Sequence, residues 1–225
     1  MTAPYIYLIE RTTVKYSRIL VPISTDDASF YSQWASQDKM IVIPQGFDPL
    51  IFNPFYPTVK NDPKIILFCG NYSIDTNREA VDVVLEQILD KVIAATPNIK
   101  FVFLGAHPPQ RPSNSHVEFT GFLEDYPSYL KRSDIVISPM RGGWRFPTKI
   151  IEALACGKPV IATPVGARSL ERDYKGLLIG EIEQFPNMIS QVLKHNDQSC
   201  LDDFAKLKSR YSWNTNIKKL IMRMN

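Results

Sequence analysis

Residues 138–170 read SPMRGGWRFPTKIIEALACGKPVIATPVGARSL. The run divides into a strand end, a glycine loop, a helix, a tight turn, a short apolar strand and a second glycine turn that opens another helix. Pro147 suits a first helical turn, because its fixed φ fits there and its missing N–H is not needed. The spacing therefore predicts a helix starting near Phe146. Ile150, Ile151, Leu154 and Ala155 recur at helical spacing, and Gly157 is the residue type that closes a helix in the left-handed region. Lys158-Pro159 then stops it. Val160-Ile161-Ala162 is too short for a further helix, and its β-branched start reads as a buried strand.

Working outward, the chain from Lys64 alternates strand and helix, the pattern of a parallel sheet with crossover helices. Strands are expected at 65–69, 101–105, 117–120, 135–138, 160–162 and 177–179. Between the first two, Ala80, Val83, Val84, Ile88, Leu89, Val92 and Ile93 form one amphipathic helical stripe. Six strands in this order predict an α/β, Rossmann-like doubly wound sheet, whose ligands sit outside the carboxyl ends of the strands. The special residues fall there: Gly70-Asn71, Gly105-Ala106-His107, Gly121-Phe122, Arg141-Gly142-Gly143 and Pro164-Val165-Gly166 each follow a strand. Glycine at such ends admits close approach of a ligand, although glycines also make turns in any sheet of this kind.

Upstream, residues 1–16 fit either a short helix or a strand pair. Ile19–Ile23 reads as a strand, and Ser24-Thr25-Asp26-Asp27 supplies caps for a helix carrying Phe30, Tyr31 and Trp34. Met40–Pro44 reads as a second strand, closed by Gln45-Gly46. Residues 53–63 carry three prolines and read as a semi-rigid linker.

The 225 residues, 44% of them hydrophobic, suffice for one large domain with its core. No apolar run reaches bilayer-spanning length, and MTAPYIYLIERTT lacks the layout of a signal peptide, so a cytoplasmic location is expected. A net charge of +3 is mild and allows at most peripheral contact with anionic lipid; nothing points to nucleic acid. Cys69, Cys156 and Cys200 are too scattered for a disulfide framework or a metal knuckle. No Ser-His-Asp order, Cys-His pair or His/carboxylate cluster suggests a hydrolase or a metal, and no cofactor is expected.

Lys149 and Glu152 lie three residues apart on the 146–156 helix and are neighbours on one face. They sit beside a helix N-terminus, whose free N–H groups and partial positive charge favour a phosphate. A carboxylate accepts from ribose hydroxyls while an ammonium and a helix end hold a diphosphate, a combination that suits a nucleotide-sugar. Two such charges taken alone also fit a solvated helix pair. His107 fits either a ligand contact or a plain loop residue; His116 and His195 have no suggestive setting. Trp144 and Phe146 fit either donor contacts or packing anchors. Arg168 and Glu171 follow the Gly166 turn, where they are either near a ligand or simply solvated.

The run FPTKIIEALACGKPVIATPVGA resembles the donor-binding segment of the family-four retaining glycosyltransferases, which have the GT-B fold of two facing Rossmann-like domains. Glu152 matches the last Glu of that family's E-x7-E motif, which contacts the donor ribose. The first Glu would fall at Trp144 and is absent. A branch of the family has a GGGTRLKILEA-type loop instead, and Gly142, Gly143, Lys149 and Glu152 fit that branch. The phrase VIPQGFDPLIFNP is similar to the family's crossing between domains, through Gly46, Phe47, Asp48, Phe52 and Pro54. CGNYSIDTNREAVDVVLEQI and VEFTGFLEDYPSYLKRSDIVISP are similar to the family's first strand and helix and to its later strands, and the likeness runs over residues 18–213. Many members place an Arg after the first Gly and a Lys a few residues on to grip the diphosphate. Asn71 and Thr76 stand here instead, with Arg78 and Arg145 as the substitutes at hand.

The resemblance implies a metal-independent, nucleotide-sugar-binding C-terminal half of a GT-B enzyme, preceded by a remnant of the N-terminal acceptor domain. The expected divisions are 1–57 for remnant and linker, 58–210 for the Rossmann-like domain and 211–225 for a C-terminal helix. The donor set it implies is Gly70, Asn71, Arg78, Gly121, Phe122, Gly142, Gly143, Arg145, Lys149, Glu152 and Gly166, with no catalytic residue assigned. A whole enzyme of this type implies, roughly, well over a hundred further residues ahead of Met1, one domain's size. Two alternatives remain open, a non-catalytic nucleotide-sugar-binding module and an interaction protein. A partner chain or homodimer would supply the missing acceptor domain or, for an interaction protein, bury the apolar face that the missing domain leaves.

Overall fold

The computed structural model describes residues 4–56, 62–111, 113–143, 146–195 and 202–224. Strand β1 (Lys64–Cys69) lies in the middle of a parallel sheet with β2 (Ile99–Leu104), β3 (Val117–Gly121), β4 (Ile135–Ser138), β5 (Val160–Ala162) and β6 (Leu177–Ile179). The order across the sheet is β3-β2-β1-β4-β5-β6. The chain thus winds one way from β1 to β3 and the other way from β4 to β6. The expected doubly wound sheet is present, and its direction reverses between β1 and β4, where crossovers on opposite faces leave a ligand crevice.

Alternation along β1 feeds two cores. Ile66 and Phe68 join Phe101, Phe103, Ile135, Ile137 and Ile161 on one face. Leu67 and Cys69 join Val102, Leu104 and Val136 on the other. Both faces are covered, so the strands read as continuous apolar runs rather than as alternating ones. The first face is roofed by α3 (Asp75–Val83), a π-helical turn (Val84–Ile88), α4 (Leu89–Ala95) and α7 (Phe185–His195). The amphipathic stripe at 80–93 is therefore one helical run with a widened turn inside it. The second face carries α5 (Tyr126–Arg132), α6 (Thr148–Ala155) and α8 (Asp203–Tyr211).

Helix α6 begins at Thr148, with Pro147 just outside as its cap residue at φ −82°, ψ 62°. Its far end closes as expected: Gly157 has φ 69°, its N–H bonds the Leu154 carbonyl at 2.9 Å, and the Lys158 N–H bonds the Ala153 carbonyl at 3.0 Å. These paired bonds satisfy carbonyls that a helix end leaves orphaned. The glycine turn after β5 departs from expectation. Residues 164–169 form successive turns rather than a helix start, ending on Ser169 at φ 68°.

The N-terminal segment also departs in part. Residues Pro4–Tyr16 form a helix, α1. Ser24 caps α2 (Thr25–Tyr31) by accepting from the Asp27 N–H at 3.0 Å, and Trp34 lies in the turn beyond that helix. The two runs expected as strands pair through Leu20, Pro22, Met40 and Ile43 but make only one isolated bridge, Leu20 with Met40. Pro22 and Pro44 remove ladder donors there, which keeps the pairing short. The chain then crosses to its own C-terminal helices. Phe47 N–H bonds the Tyr211 carbonyl at 2.9 Å, Trp213 N–H bonds the Phe47 carbonyl at 3.2 Å, and Asn216 of α9 (Trp213–Met224) donates to the Pro44 carbonyl at 2.7 Å. Val21, Ile23, Trp213 and Ile217 border an apolar groove of about 410 Å³ beside this crossing.

Candidate functional site

The reversal point brings the starts of two helices together from opposite faces of the sheet. α3 follows β1 through Gly70–Ile74, and α6 follows β4 through 139–147; neither helix has a side-chain cap at its N-terminus. Both ends therefore present a partial positive charge to the same region. The Gly142-Gly143 loop lies over the start of α3. A Cβ on Gly142 would stand 3.9 Å from Thr76 Cγ2, and one on Gly143 4.0 Å from Thr76 Oγ1. Gly143 has φ 117°, a conformation that side chains rarely adopt.

Lys149, in the first turn of α6, reaches across the end of β1. Its Nζ lies 4.4 Å from the Phe68 ring centroid and 3.4 Å from Asn77 Oδ1. Among the described residues no carboxylate ion-pairs with it. Burial pulls its ammonium down to about 8, with Cys69 opposing. The Cys69 thiol is itself pushed up to about 12 by burial. A cation in this position has one long hydrogen bond and an aromatic face, and protons to spare for an anion.

Glu152, one turn further along α6, is partly buried and does not pair with Lys149. It accepts a 2.9 Å hydrogen bond from the Tyr126 hydroxyl instead. Burial raises its carboxyl to about 7, against the lowering effect of that bond. The two charges are thus neither a solvated pair nor bonded to each other. Each is held inward by a different element.

The remaining candidates separate into groups. Gly70 sits against the buried Asn77, where a Cβ would lie 2.9 Å from its Cγ. Asn77 Nδ2 donates to the Asn71 carbonyl at 2.8 Å, and Asn71 Oδ1 accepts from the Ser73 N–H at 3.0 Å. Gly70, Asn71, Gly142, Gly143 and Lys149 are therefore brought together around Thr76 and Asn77. Arg78 is occupied locally: it donates to the Tyr72 carbonyl at 2.8 Å and ion-pairs with Asp75. Gly121 and Phe122 lie at the end of the edge strand, two strands from β1, and Phe122 is 73% exposed. Gly166 serves β4, since a Cβ there would come within 2.7 Å of the Ser138 carbonyl oxygen. Arg168 pairs with Asp26 at 2.7 Å and Glu171 with Arg210 at 2.8 Å, so both hold structure together. Phe146 is buried against Tyr211, His116 Nδ1 lies 3.0 Å from the Ile99 carbonyl oxygen, and His107 is a loop residue with φ 59°. Trp144, Arg145 and Cys200 lie outside the described residues.

Two members of the site, Asn77 and Tyr126, are absent from the sequence reading. Asn77 falls on the helical stripe of Ala80, Val81 and Val84, and Tyr126 four residues before the buried Leu130. A polar group at a core position on a helix face is the signal that picks them out. A cavity of about 310 Å³ opens on the other flank of the 139–143 loop, between Arg141, Thr163, Val165 and Glu181; Lys149 and Glu152 do not line it. Among the described residues no cluster of three or more His, Cys, Asp or Glu is placed to hold a metal. No helix among them is long and apolar enough to cross a membrane.

A family profile described as Glycosyl transferases group 1 matches residues 63–195. The phosphatidyl-myo-inositol mannosyltransferase of Propionibacterium freudenreichii subsp. shermanii is 36% identical over 157 residues, which are 66% of this chain and 40% of that protein. The chain therefore spans about two fifths of that relative's length. Anabaena HepE in complex with UDP and glucose superposes with a TM-score of 0.78 at 15% identity, over 100% of this chain and 67% of that one. Sucrose-phosphate synthase from Thermosynechococcus elongatus gives 0.70 at 17%, over 100% and 64%. At such identities the structural likeness speaks to the fold.

Proposed function

The chain belongs to the group 1 glycosyl transferases, and on that premise we propose that it is the donor-binding half of an enzyme moving a hexose from a nucleoside diphosphate to an acceptor. The observation that carries this reading is Lys149, a cation drawn under the end of β1 between two uncapped helix starts, with no carboxylate ion-paired to it among the described residues. Burial of an unpaired cation is unfavourable unless an anion joins it. A diphosphate fits that position, with the glycine loop 142–143 letting it approach the backbone and Glu152 taking the ribose. As the bond from the anomeric carbon to the β-phosphate oxygen breaks, negative charge grows on the departing diphosphate. Lys149 and the two helix ends oppose that charge without reorganising. No metal is called for in this scheme. In this reading the acceptor surface comes from outside these residues, in the same polypeptide or a partner chain, and the apolar groove at Val21 and Trp213 is where it would abut. We place the protein in the cytoplasm, at most peripheral to a membrane.

Calorimetric titration with UDP, GDP and their glucose and mannose conjugates tests the reading. The mannose conjugate belongs in the panel because the relative named above is a mannosyltransferase. Binding of a nucleoside diphosphate, with its parent nucleoside at least tenfold weaker, is the expected result; equal affinity for the two, or none for any diphosphate, overturns it. Tight binding without transfer in the presence of acceptor lipids would favour a non-catalytic module. Asn71 and Thr76, standing where many relatives keep cations, are the residues that favour that second reading.

A further inference from the structure

The bond from the Tyr126 hydroxyl to Glu152 Oε2, 2.9 Å long, joins two elements that no sequence neighbourhood brings together. Tyr126 opens α5 after the edge strand, whereas Glu152 lies within α6. Tyr126 is itself fixed from several sides. Asp125 caps α5 by accepting from the Ser128 N–H at 3.3 Å, which sets the backbone. The Phe52 ring lies 5.9 Å from the Tyr126 ring, centroid to centroid. Burial raises the phenol well above its usual range, so it stays a donor across the working pH.

The other titratable groups facing Glu152 are the Cys69 thiol from the end of β1 and the Cys156 thiol just past the end of α6. Burial pushes both up to about 12, so both are neutral. Lys149 turns away to Phe68 and Asn77. Among the described residues Tyr126 is the group that hydrogen-bonds the carboxylate.

We propose that Tyr126 is a positioning residue for nucleotide recognition: its hydroxyl holds Oε2 of Glu152, fixing the plane of the carboxylate and leaving Oε1 for the ribose hydroxyls. The inference rests on the reading that Glu152 holds the ribose. A carboxylate on a freely rotating side chain must lose its rotamer freedom when the sugar binds; one already held has lost it in folding. The same bond favours the charged carboxylate, the form that accepts from both ribose hydroxyls.

The test compares wild type, Tyr126→Phe and Glu152→Gln, titrated with UDP and GDP as probes between pH 6 and 9. The carboxyl 13C signal of Glu152 is followed in the ligand-free wild type and Tyr126→Phe proteins. Tyr126→Phe is expected to raise the midpoint of the Glu152 signal by about one pH unit. It should weaken the probes about tenfold at pH 7, about fivefold of it from the ionised fractions and about twofold from the freed rotamer, and only about twofold to threefold at pH 8.5. Titration of the diphosphate and of Lys149 is common to both proteins and cancels in that ratio. An unmoved midpoint, or a loss equal at every pH, would mean that Tyr126 only fills space, and the proposal falls. Glu152→Gln separates the two layers of argument. If it weakens the probes while Tyr126→Phe shifts nothing, the ribose assignment stands without Tyr126; if Glu152→Gln changes nothing, the ribose assignment fails and takes the proposal with it.

Discussion

Two cations flank the reversal point of the sheet, and their surroundings differ in kind. Arg78 on α3 is exposed, paired with Asp75 and bonded to the Tyr72 carbonyl in the loop ahead of that helix. Lys149 on α6 is drawn inward with an aromatic face below it and one long bond to Asn77. Proximity to a helix start is common to both. The difference teaches that a charge already answered by its neighbours has little left for a ligand, whereas a desolvated, unanswered one is held at a cost that an anion relieves.

Substitution at Lys149 is the hardest blow to that contrast. Lys149→Met should weaken UDP and GDP by about 2–3 kcal/mol, the scale of a lost charged hydrogen bond, and leave nucleoside binding nearly unchanged. The same change should stabilise the ligand-free protein by about 1–2 kcal/mol, because an isolated charge is exchanged for an apolar chain of similar length. In thermal melts this is a rise of a few degrees for a chain of this size. A fall in melting temperature would mean that Lys149 is answered by something other than a ligand.

Next in size is Glu152→Gln, expected to weaken ribonucleotides by about 1–2 kcal/mol and their 2′-deoxy counterparts by less, since a charged acceptor becomes a neutral one. Equal losses for the two sugars would remove Glu152 from ribose recognition. The pH profile of diphosphate affinity carries both groups. Glu152 is raised to about 7, so affinity should fall as acid protonates it below that value. Lys149 is lowered to about 8, so affinity should fall again as base discharges it above that value. The optimum therefore lies near pH 7.5, and an alkaline limb that persists in Lys149→Met would contradict the assignment. For stability the Lys149 sign is the reverse of a salt-bridged lysine. Its folded value lies below the unfolded one, so its penalty is full below pH 8 and fades as pH rises through the unfolded value near 10.5. The smallest effect belongs to Arg78→Ala, expected to change diphosphate affinity by under about 0.5 kcal/mol, as for an exposed pair. A loss comparable to that of Lys149→Met would show that Arg78 leaves Asp75 to meet the ligand.

How far the residues announce this arrangement depends on the range of the interaction. The six strands are legible because each is a short apolar run bounded by Gly, Pro or Asn, and burial on both faces leaves little ambiguity. Glu152 and Lys149 stand out because helix spacing and a following Gly157-Lys158-Pro159 stop define their face. Asn77 and Tyr126 do not, since their partners are 72 and 26 residues away and such contacts leave no local period. The turns after Gly166 read as a helix start because glycine turns often open helices; here the glycine is needed where the chain skirts the Ser138 carbonyl. The runs at 19–23 and 40–44 have strand composition, yet prolines interrupt the ladder, and among the described residues the two runs share one bridge. Local preference there is outweighed by what is available to pair with.

The crossing at Phe47 and Tyr211 ties residues 4–46 and α9 into a single attachment. Shortening the protein to residue 211 would strip off α9, expose the Pro44 carbonyl that Asn216 now covers and leave Gly46 without the Trp213 ring packed on it. Residues 4–46 would then be held by their covalent tether and the Asp26–Arg168 pair, while β1–β6 kept both of their roofs. A truncation after residue 211 would thus be felt first in residues 4–46, far away in the sequence, as new proteolytic sensitivity ahead of residue 47.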